Sequence, residues 1–186
     1  MIVEPCGLGG VRLIRPAVHG DERGWFLENF RAERYLEAGI EITVAQINTS
    51  HSRRGVLRGL HYQWPEPQGK LVWVSEGRVY DVAVDIRSDS PDFGRWFGVE
   101  LDAREHHQLW IPPGYAHGFM VLSDVATFSY VCTAPYRPEH DANIAWNDPA
   151  IGIEWPAEPE SLSARDRAAP RLEELAKERL PTCEFC

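Results

Sequence analysis

Residues 55–63, GVLRGLHYQ, and residues 65–74, PEPQGKLVWV, form the most informative stretch of the sequence. Both segments are rich in the aliphatic and aromatic residues that favour β-strands. The first segment nevertheless carries Arg58 and His61, and burying a charge is costly unless another group pairs with it. An apolar strand gives no packing reason to hold both side chains, so the stretch predicts a functional site. A histidine satisfied within the core, with an arginine at its rim, is the purely structural alternative.

The spacing of Arg58 and His61 conflicts with a shared site. A regular strand points residues three positions apart to opposite faces of its sheet. Gly59 lies between them, and a glycine within a strand permits a bulge that redirects a neighbouring side chain. We therefore predict an irregularity at Gly59 that brings Arg58 into the same cavity as His61.

The rest of the chain indicates an all-β fold. Segments of alternating apolar and polar residues are separated by turn residues, as at Glu76-Gly77, where two strands flank a hairpin signal. Residues 11–16, VRLIRP, end in proline and are predicted to be an edge strand. The pattern predicts a cupin-type jelly-roll barrel of antiparallel strands with a few short helices. We expect one domain over residues 1–186, with a helical tail from about residue 163.

Composition limits the classes of function. The chain of 186 residues has a formal net charge of -9, which argues against nucleic-acid binding. No apolar run approaches the roughly 20 residues that span a bilayer, so we expect no membrane partner. The N-terminus shows no signal-peptide pattern and the cysteines make a poor disulfide framework, so we expect a cytoplasmic protein. A redox or metal role for Cys183 and Cys186 stays open.

The histidines raise the question of a metal site. His61 and His117 lie on predicted strands, and His51 is a looser third residue. Metal-binding cupins carry an HxH motif on the first strand of their site, but this chain reads HYQ, with Gln63 in the place of the second histidine. We therefore expect no catalytic metal ion. A metal-dependent cupin oxygenase is the alternative, and a third inward ligand near Gln63 would favour it.

Acid–base chemistry is the other interpretation of these residues. A histidine with a pKa near its ordinary value of about 6.5 can abstract a proton at neutral pH. It needs an orienting carboxylate and a group that stabilises the enolate oxygen. A phenol such as Tyr130, held across the cavity, could return a proton to the opposite face and so invert a carbon. Guanidinium groups such as Arg58 suit a phosphate-bearing substrate.

Seven segments in collinear order resemble the dTDP-4-dehydrorhamnose 3,5-epimerase family. They are GVLRGLHYQ, QGKLVWV, GRVYDVAVDIR, SPDFGRW, IPPGYAHGFMVLS, YRPEHDANIAWNDP and LSARD. The resemblance runs from DERGWFLENF to LSARD, which is most of the chain. It implies a cupin-fold homodimer that works without a cofactor on a dTDP-4-keto-6-deoxy-hexose.

The resemblance also implies roles for particular residues. His61 matches the base, Asp166 the carboxylate that supports it, Tyr130 the proton donor, and Lys70 a residue that stabilises the enolate or contacts the sugar. The remaining matches are substrate-binding positions, some of them contributed across the dimer: Arg23, Glu28, Gln46, Asn48, Arg58, His117, Asp141 and Arg165.

Three departures from the family pattern leave alternatives. Val131 stands where the family commonly has lysine, Asp141 stands where it commonly has glutamate, and the tail after Pro170 is longer. An epimerase that inverts only C3 or C5 therefore stays open. A ketoisomerase on the same nucleotide sugar, which would move the carbonyl rather than invert a carbon, is a separate alternative. A non-catalytic sugar-binding cupin is a further alternative, and it predicts that His61, Asp166 and Tyr130 do not converge.

Overall fold

The computed structural model describes residues 1–185 and is built mainly of β-strands. The strands are β1 (Ile2–Pro5), β2 (Arg12–Arg15), β3 (Val18–Asp21), β4 (Gly24–Leu27), β5 (Gln46–Arg53), β6 (Leu57–Gln63), β7 (Lys70–Glu76), β8 (Arg78–Asp85), β9 (Trp96–Asp102), β10 (Gln108–Ile111), β11 (Tyr115–Val121), β12 (Val125–Cys132) and β13 (Asp141–Asn143). The α-helices are α1 (Ala32–Glu37) and α2 (Ala164–Arg167). Single 3-10 turns follow at Leu172–Glu174, Lys177–Arg179 and Cys183–Phe185.

Two antiparallel sheets form the body of the fold. One has six strands in the order β1-β2-β10-β7-β12-β5, and the other has five in the order β13-β6-β11-β8-β9. The short hairpin β3-β4 is a separate two-stranded sheet whose residues are almost all exposed. This arrangement confirms the predicted all-β, cupin-type jelly roll.

The main core lies between the two sheets because alternate residues of each strand face inward. Val72, Leu109, Phe119 and Phe128 meet there, and each is almost completely buried. A second apolar cluster covers the outer face of the five-stranded sheet, where the chain after β13 packs on Leu60, Val82, Val84 and Ile86. One end of the space between the sheets is not filled by apolar side chains, and the candidate site lies there.

Two sequence expectations need correction. Residues 11–16 are not an edge strand, because β1 pairs with the outer side of β2 while β10 pairs with its other side. The tail from about residue 163 contains only short helical turns rather than a continuous helix. Its apolar residues Leu172 and Leu180 instead fold back onto the five-stranded sheet, where both are buried.

Two further features of the chain concern its cysteines and its helices. Cys183 is a free, exposed thiol, and the proposed pairing partner Cys186 lies outside the described residues. Among residues 1–185, no helix is both long enough and apolar enough to cross a membrane.

Candidate active site

Strand β6 is irregular where the sequence predicted it. Its register with β11 pairs His61 with His117 but Arg58 with Phe119, so β6 has one residue more than β11 between these pairs. Gly59 has φ +126, and a Cβ there would lie 2.6 Å from the Cα atom of Gly118. Only glycine fits this backbone and this close approach. The extra residue places Arg58 along the cavity that His61 lines.

His61 is paired with Asp166, which lies 105 residues further along the chain. The Nε2 atom of His61 is 2.6 Å from Oδ1 of Asp166. Asp166 belongs to α2, which the N-cap residue Ser163 begins by accepting a hydrogen bond from the Asp166 backbone N–H at 3.0 Å. Burial acts to raise the pKa of Asp166, but hydrogen bonds from His61 and Ser163 outweigh it and hold that pKa below its usual value. The carboxylate is therefore ionised and fixes the imidazole ring.

A second histidine–carboxylate pair lies on the neighbouring strands. Nε2 of His117 on β11 is 2.9 Å from Oδ2 of Asp81 on β8, and both side chains are buried. Burial lowers the pKa of His117, although the charge and hydrogen bond of Asp81 act in the opposite direction. The other oxygen of Asp81, Oδ1, is buried and has no hydrogen-bond partner within the described part of the chain.

Lys70 and Tyr130 complete the wall opposite His61. Lys70 is buried at the start of β7, and desolvation lowers the pKa of its ammonium group, while Cys132, Asp141 and Asp81 partly offset this. Tyr130 lies on the inward face of β12, between Asn48 of β5 and Val72 of β7 in register. Burial raises the pKa of the Tyr130 phenol, so it keeps its proton at neutral pH.

Two adjoining cavities share His61, Lys70 and Tyr130. The inner cavity, of about 190 Å³, is also lined by Arg58, His117, Phe119 and Phe128. The outer cavity, of about 350 Å³, is also lined by Gln46, Asn48, Gln68, Tyr136 and Asp141. The three shared residues therefore stand where an elongated ligand would pass from one cavity to the other.

Arg165 reaches the outer cavity through a charge pair. Its guanidinium group contacts the Oδ2 atom of Asp141, and the Tyr136 hydroxyl donates a hydrogen bond to the same oxygen at 2.9 Å. Asp141 thus links a cation and a phenol at the cavity wall.

Arg23 and Glu28 lie apart from these cavities. Arg23 is at the tip of the β3-β4 hairpin, its side chain is 85% exposed, and it pairs with Asp21. Glu28 pairs with Arg31 and Arg34. Neither residue lines the cavities around His61 of its own chain.

The HYQ motif places Gln63 where metal-binding cupins carry a second histidine. Its side chain is buried and makes hydrogen bonds with backbone groups. Over residues 1–185, no group of three or more His, Cys, Asp or Glu side chains is placed to hold a metal ion. The two histidines of the site are each bound to a carboxylate instead.

Comparison with known proteins shows the family of the chain. The family model described as dTDP-4-dehydrorhamnose 3,5-epimerase matches residues 5–174. The chain belongs to this family.

Relatives of the chain within this epimerase family align with almost its whole length. The chain is 50% identical to the dTDP-4-dehydrorhamnose 3,5-epimerase of Salmonella typhimurium over 177 residues, which are 94% of this chain and 97% of that protein. Its structure is similar to a Legionella pneumophila dTDP-6-deoxy-D-glucose-3,5-epimerase in complex with dTDP-4-keto-L-rhamnose, with a TM-score of 0.95, 48% identity and 97% coverage of both chains. It is also similar to a 3'-monoepimerase from Streptomyces bikiniensis in complex with dTDP-quinovose, with a TM-score of 0.89, 38% identity, and coverage of 98% of this chain and 94% of that one.

Membership in the epimerase family makes the chain an isomerase, as its sequence motifs indicated. Sequence reasoning nevertheless missed several residues of the site. Asp81 showed one signal, since it shares a face with Ala83 and Asp85 in a strand that is otherwise apolar. Ser52, which accepts hydrogen bonds from the Arg58 guanidinium, showed none. Tyr136 lies in a loop and opens the segment YRPEHDANIAWNDP, but its local pattern indicated no role for it.

Proposed function

We propose that this protein inverts C3 and C5 of a dTDP-4-keto-6-deoxy-hexose, by removing a proton next to the ketone and returning one to the opposite face. The observation that carries the proposal is the pairing of His61 with a buried, ionised Asp166, facing Lys70 and Tyr130 across one cavity. A base without a metal needs a carboxylate to orient it, a cation for the enolate and an acid on the other side. This site contains one residue suited to each task.

The proton path follows from the geometry. Because Nε2 of His61 is bound to Asp166, the other ring nitrogen, Nδ1, is the atom that takes the proton from carbon. The C–H electron pair forms a double bond to the ketone carbon of the sugar, and the carbonyl π electrons move to the oxygen. This enolate oxygen carries the developing negative charge. Asp166 then stabilises the imidazolium that forms, as a carboxylate does when it holds a catalytic histidine.

Lys70 is the proposed partner of the enolate oxygen. An ammonium group in a site shielded from water stabilises a developing anion far more than one in bulk solvent. Desolvation of Lys70 supports this assignment, because the same burial that lowers its pKa strengthens its field at the substrate. His117, Arg58, Asp141 and Arg165 are proposed to bind the sugar and diphosphate.

Tyr130 is the proposed acid. The enolate carbon takes the phenolic proton on the face opposite His61, and the phenolate regains a proton from solvent. The raised pKa of Tyr130 favours a phenol that is protonated before each transfer. Once His61 has released the proton it took to solvent, repeating the cycle at the second carbon beside the ketone gives the double inversion.

A homodimer forms part of the proposal. The β3-β4 hairpin exposes Trp25 and Phe26, which are 62% and 69% accessible, next to Arg23. Large exposed aromatic side chains on a projecting hairpin suit a protein interface. A second copy could therefore bring Arg23 and Glu28 to the nucleotide end of its partner's cavity, beside Gln46 and Asn48. We also propose that the chain works as one domain in the cytoplasm, without a nucleic-acid or membrane partner.

One experiment tests the reaction directly. The protein is incubated with dTDP-4-keto-6-deoxyglucose in D2O, and deuterium at C3 and C5 is followed by NMR together with the configuration of each carbon. We expect deuterium and inversion at both positions, with no loss of rate in EDTA. Deuterium and inversion at C3 alone would instead favour a monoepimerase, which the similarity to the Streptomyces bikiniensis enzyme makes the specific second candidate. No exchange at either carbon would refute the proposed function.

A further inference from the structure

Gln63, the last residue of β6, has a buried amide with three hydrogen bonds to main-chain groups. Its Nε2 atom donates to the carbonyl oxygens of Glu66 at 2.6 Å and Pro135 at 3.2 Å. Its Oε1 atom accepts from the backbone N–H of Arg137 at 2.8 Å. The residue is 5% exposed, so these hydrogen bonds are shielded from solvent. One amide therefore joins the loop after β6 to the loop after β12.

Two hydrogen bonds of Gln63 flank Tyr136 along the chain. Pro135 and Arg137 are the two chain neighbours of Tyr136, and Gln63 binds one backbone group of each. The backbone N–H of Tyr136 itself donates to Oε1 of Gln46 at 2.9 Å. Two glutamine side chains thus fix the main chain on both sides of Tyr136 and at Tyr136 itself.

Tyr136 is part of the outer cavity wall. Tyr136 is 50% exposed and lines the cavity with His61 and Lys70. Its hydroxyl donates a hydrogen bond to Asp141 at 2.9 Å. A tyrosine ring held by its backbone at one end and its hydroxyl at the other presents a fixed surface to a ligand. Fixed contacts lower the entropy cost of binding.

We propose that Gln63 is a positioning residue that sets Tyr136 in the substrate-binding wall of the outer cavity. The inference rests on the proposed function, since it concerns how the same cavity binds its nucleotide sugar. It also accounts for the glutamine of the HYQ motif: an amide supplies two donors and an acceptor to the two loops. A histidine at this position has one proton-bearing nitrogen when neutral and does not satisfy all three backbone groups.

Gln63→Met is the informative change. Methionine has a side chain of similar length but is apolar, so two carbonyl groups and one N–H lose their hydrogen-bond partner. Unpaired backbone groups make the loop move or admit water. His61, Asp166, Lys70 and Tyr130 keep their own contacts, so the chemical step is retained. We expect KM for the nucleotide sugar to rise by about tenfold or more while kcat stays within about threefold.

A double-mutant cycle tests whether Gln63 acts through Tyr136. Rates of deuterium uptake are measured over a range of dTDP-4-keto-6-deoxyglucose concentrations for the parent, Gln63→Met, Tyr136→Ala and the double variant. We expect Gln63→Met to raise KM by less than about threefold once Tyr136 is alanine, because coupled residues are not additive. An unchanged KM in the single variant, or an equal rise with and without Tyr136, would overturn the proposal.

Asp148→Asn is the matched control. Asp148 is also buried and binds the backbone N–H groups of Ala150 and Leu172, but it lies on the outer side of the five-stranded sheet and lines neither cavity. We expect this variant to lower Tm without changing KM. A rise in KM equal to that of Gln63→Met would show that a general loss of stability is enough and would overturn the proposal.

Two further provisions keep the experiment decisive. If Gln63→Met does not fold, Gln63→Glu is used, because it keeps the acceptor for Arg137 but removes both donors, and the same rise in KM is expected. An unchanged KM for that variant would overturn the proposal. A parent enzyme that takes up no deuterium would refute the proposed function instead, so the two failures are distinguishable.

Discussion

Replacing Asp166 with asparagine should disable the base while leaving the fold almost unchanged. Asparagine has nearly the same shape, so it fits the buried position and leaves the backbone N–H of residue 166 bound to Ser163. What changes is the 2.6 Å contact with Nε2 of His61. The amide carries no charge to stabilise an imidazolium, and when its NH2 group faces His61 it donates to Nε2 and places the ring proton on Nδ1.

The size of the effect follows from these two losses. A hydrogen bond to a charged group contributes about 1.5–3 kcal/mol, which corresponds to roughly 10- to 150-fold in rate. The wrong tautomer adds to this, because Nδ1 then already carries a proton and cannot accept another. The known loss on the same change in serine-protease triads, about 10⁴-fold in kcat, sets the upper end. We therefore expect kcat to fall by about 10²- to 10⁴-fold with KM nearly constant.

The assay is deuterium uptake at C3 and C5 under saturating substrate, with circular dichroism to verify the fold. Asp148→Asn serves as the control, since it makes the same chemical change at a buried aspartate outside both cavities. A kcat for Asp166→Asn within about threefold of the parent would refute the role of Asp166 as the partner of the base.

Other predictions concern the acid, the backbone of β6, the tail and the pH dependence of stability. Tyr130→Phe should keep deuterium exchange at one carbon at least, because that step needs only His61, while inversion falls by about 10²-fold or more by NMR; inversion at the parent rate would remove Tyr130 as the acid. Gly59→Ala should lower the free energy of unfolding by roughly 2–6 kcal/mol, from its positive φ and the contact with the facing strand, and a urea midpoint equal to the parent's would contradict this. Leu180→Ala should cost about 2–4 kcal/mol in the same measurement with kcat unchanged, because Leu180 is buried on the outer face of the sheet, far from the cavity lining. The depressed pKa of Asp166 should contribute stability that is present above its unfolded pKa of about 3.9 and lost as pH falls through its folded pKa, so acid titration of Asp166→Asn should show a smaller loss than that of the parent.

Local sequence reasoning located the centre of the site but not its outline. The conflict between Arg58 and His61 was visible from strand periodicity alone, and it correctly indicated Gly59 as the irregular residue. The partner of His61 was different, because Asp166 lies 105 residues away and only the resemblance to a family pointed to it. Periodicity describes one strand at a time and carries no information about which distant segment folds back onto it.

Tyr136 and the contacts of Gln63, which sequence reasoning missed, depend on main-chain groups in loops. Tyr136 lies in a segment of prolines and charges that shows no periodic pattern, and its position depends on bonds from Gln63 and Gln46 to the backbone around it. The motif HYQ indicated only that position 63 does not hold the second histidine of a metal-binding HxH motif. Likewise, the wrong assignment of residues 11–16 as an edge strand arose because proline marks the end of a strand without showing what pairs with its sides.

The two histidine–carboxylate pairs of the site show how burial separates the roles of similar groups. His61 and His117 are register partners on β6 and β11, and each is bound to an aspartate by its Nε2 atom. The His61 side chain is 34% exposed, so its free ring nitrogen can reach a ligand, whereas the His117 side chain is 8% exposed. Burial lowers the pKa of His117 and favours a neutral ring, whose single N–H is then the Nε2–H that donates to Asp81, so that Nδ1 is left as a hydrogen-bond acceptor. The same pair of residue types therefore supplies the proposed base on one strand and a buried, neutral imidazole on the next.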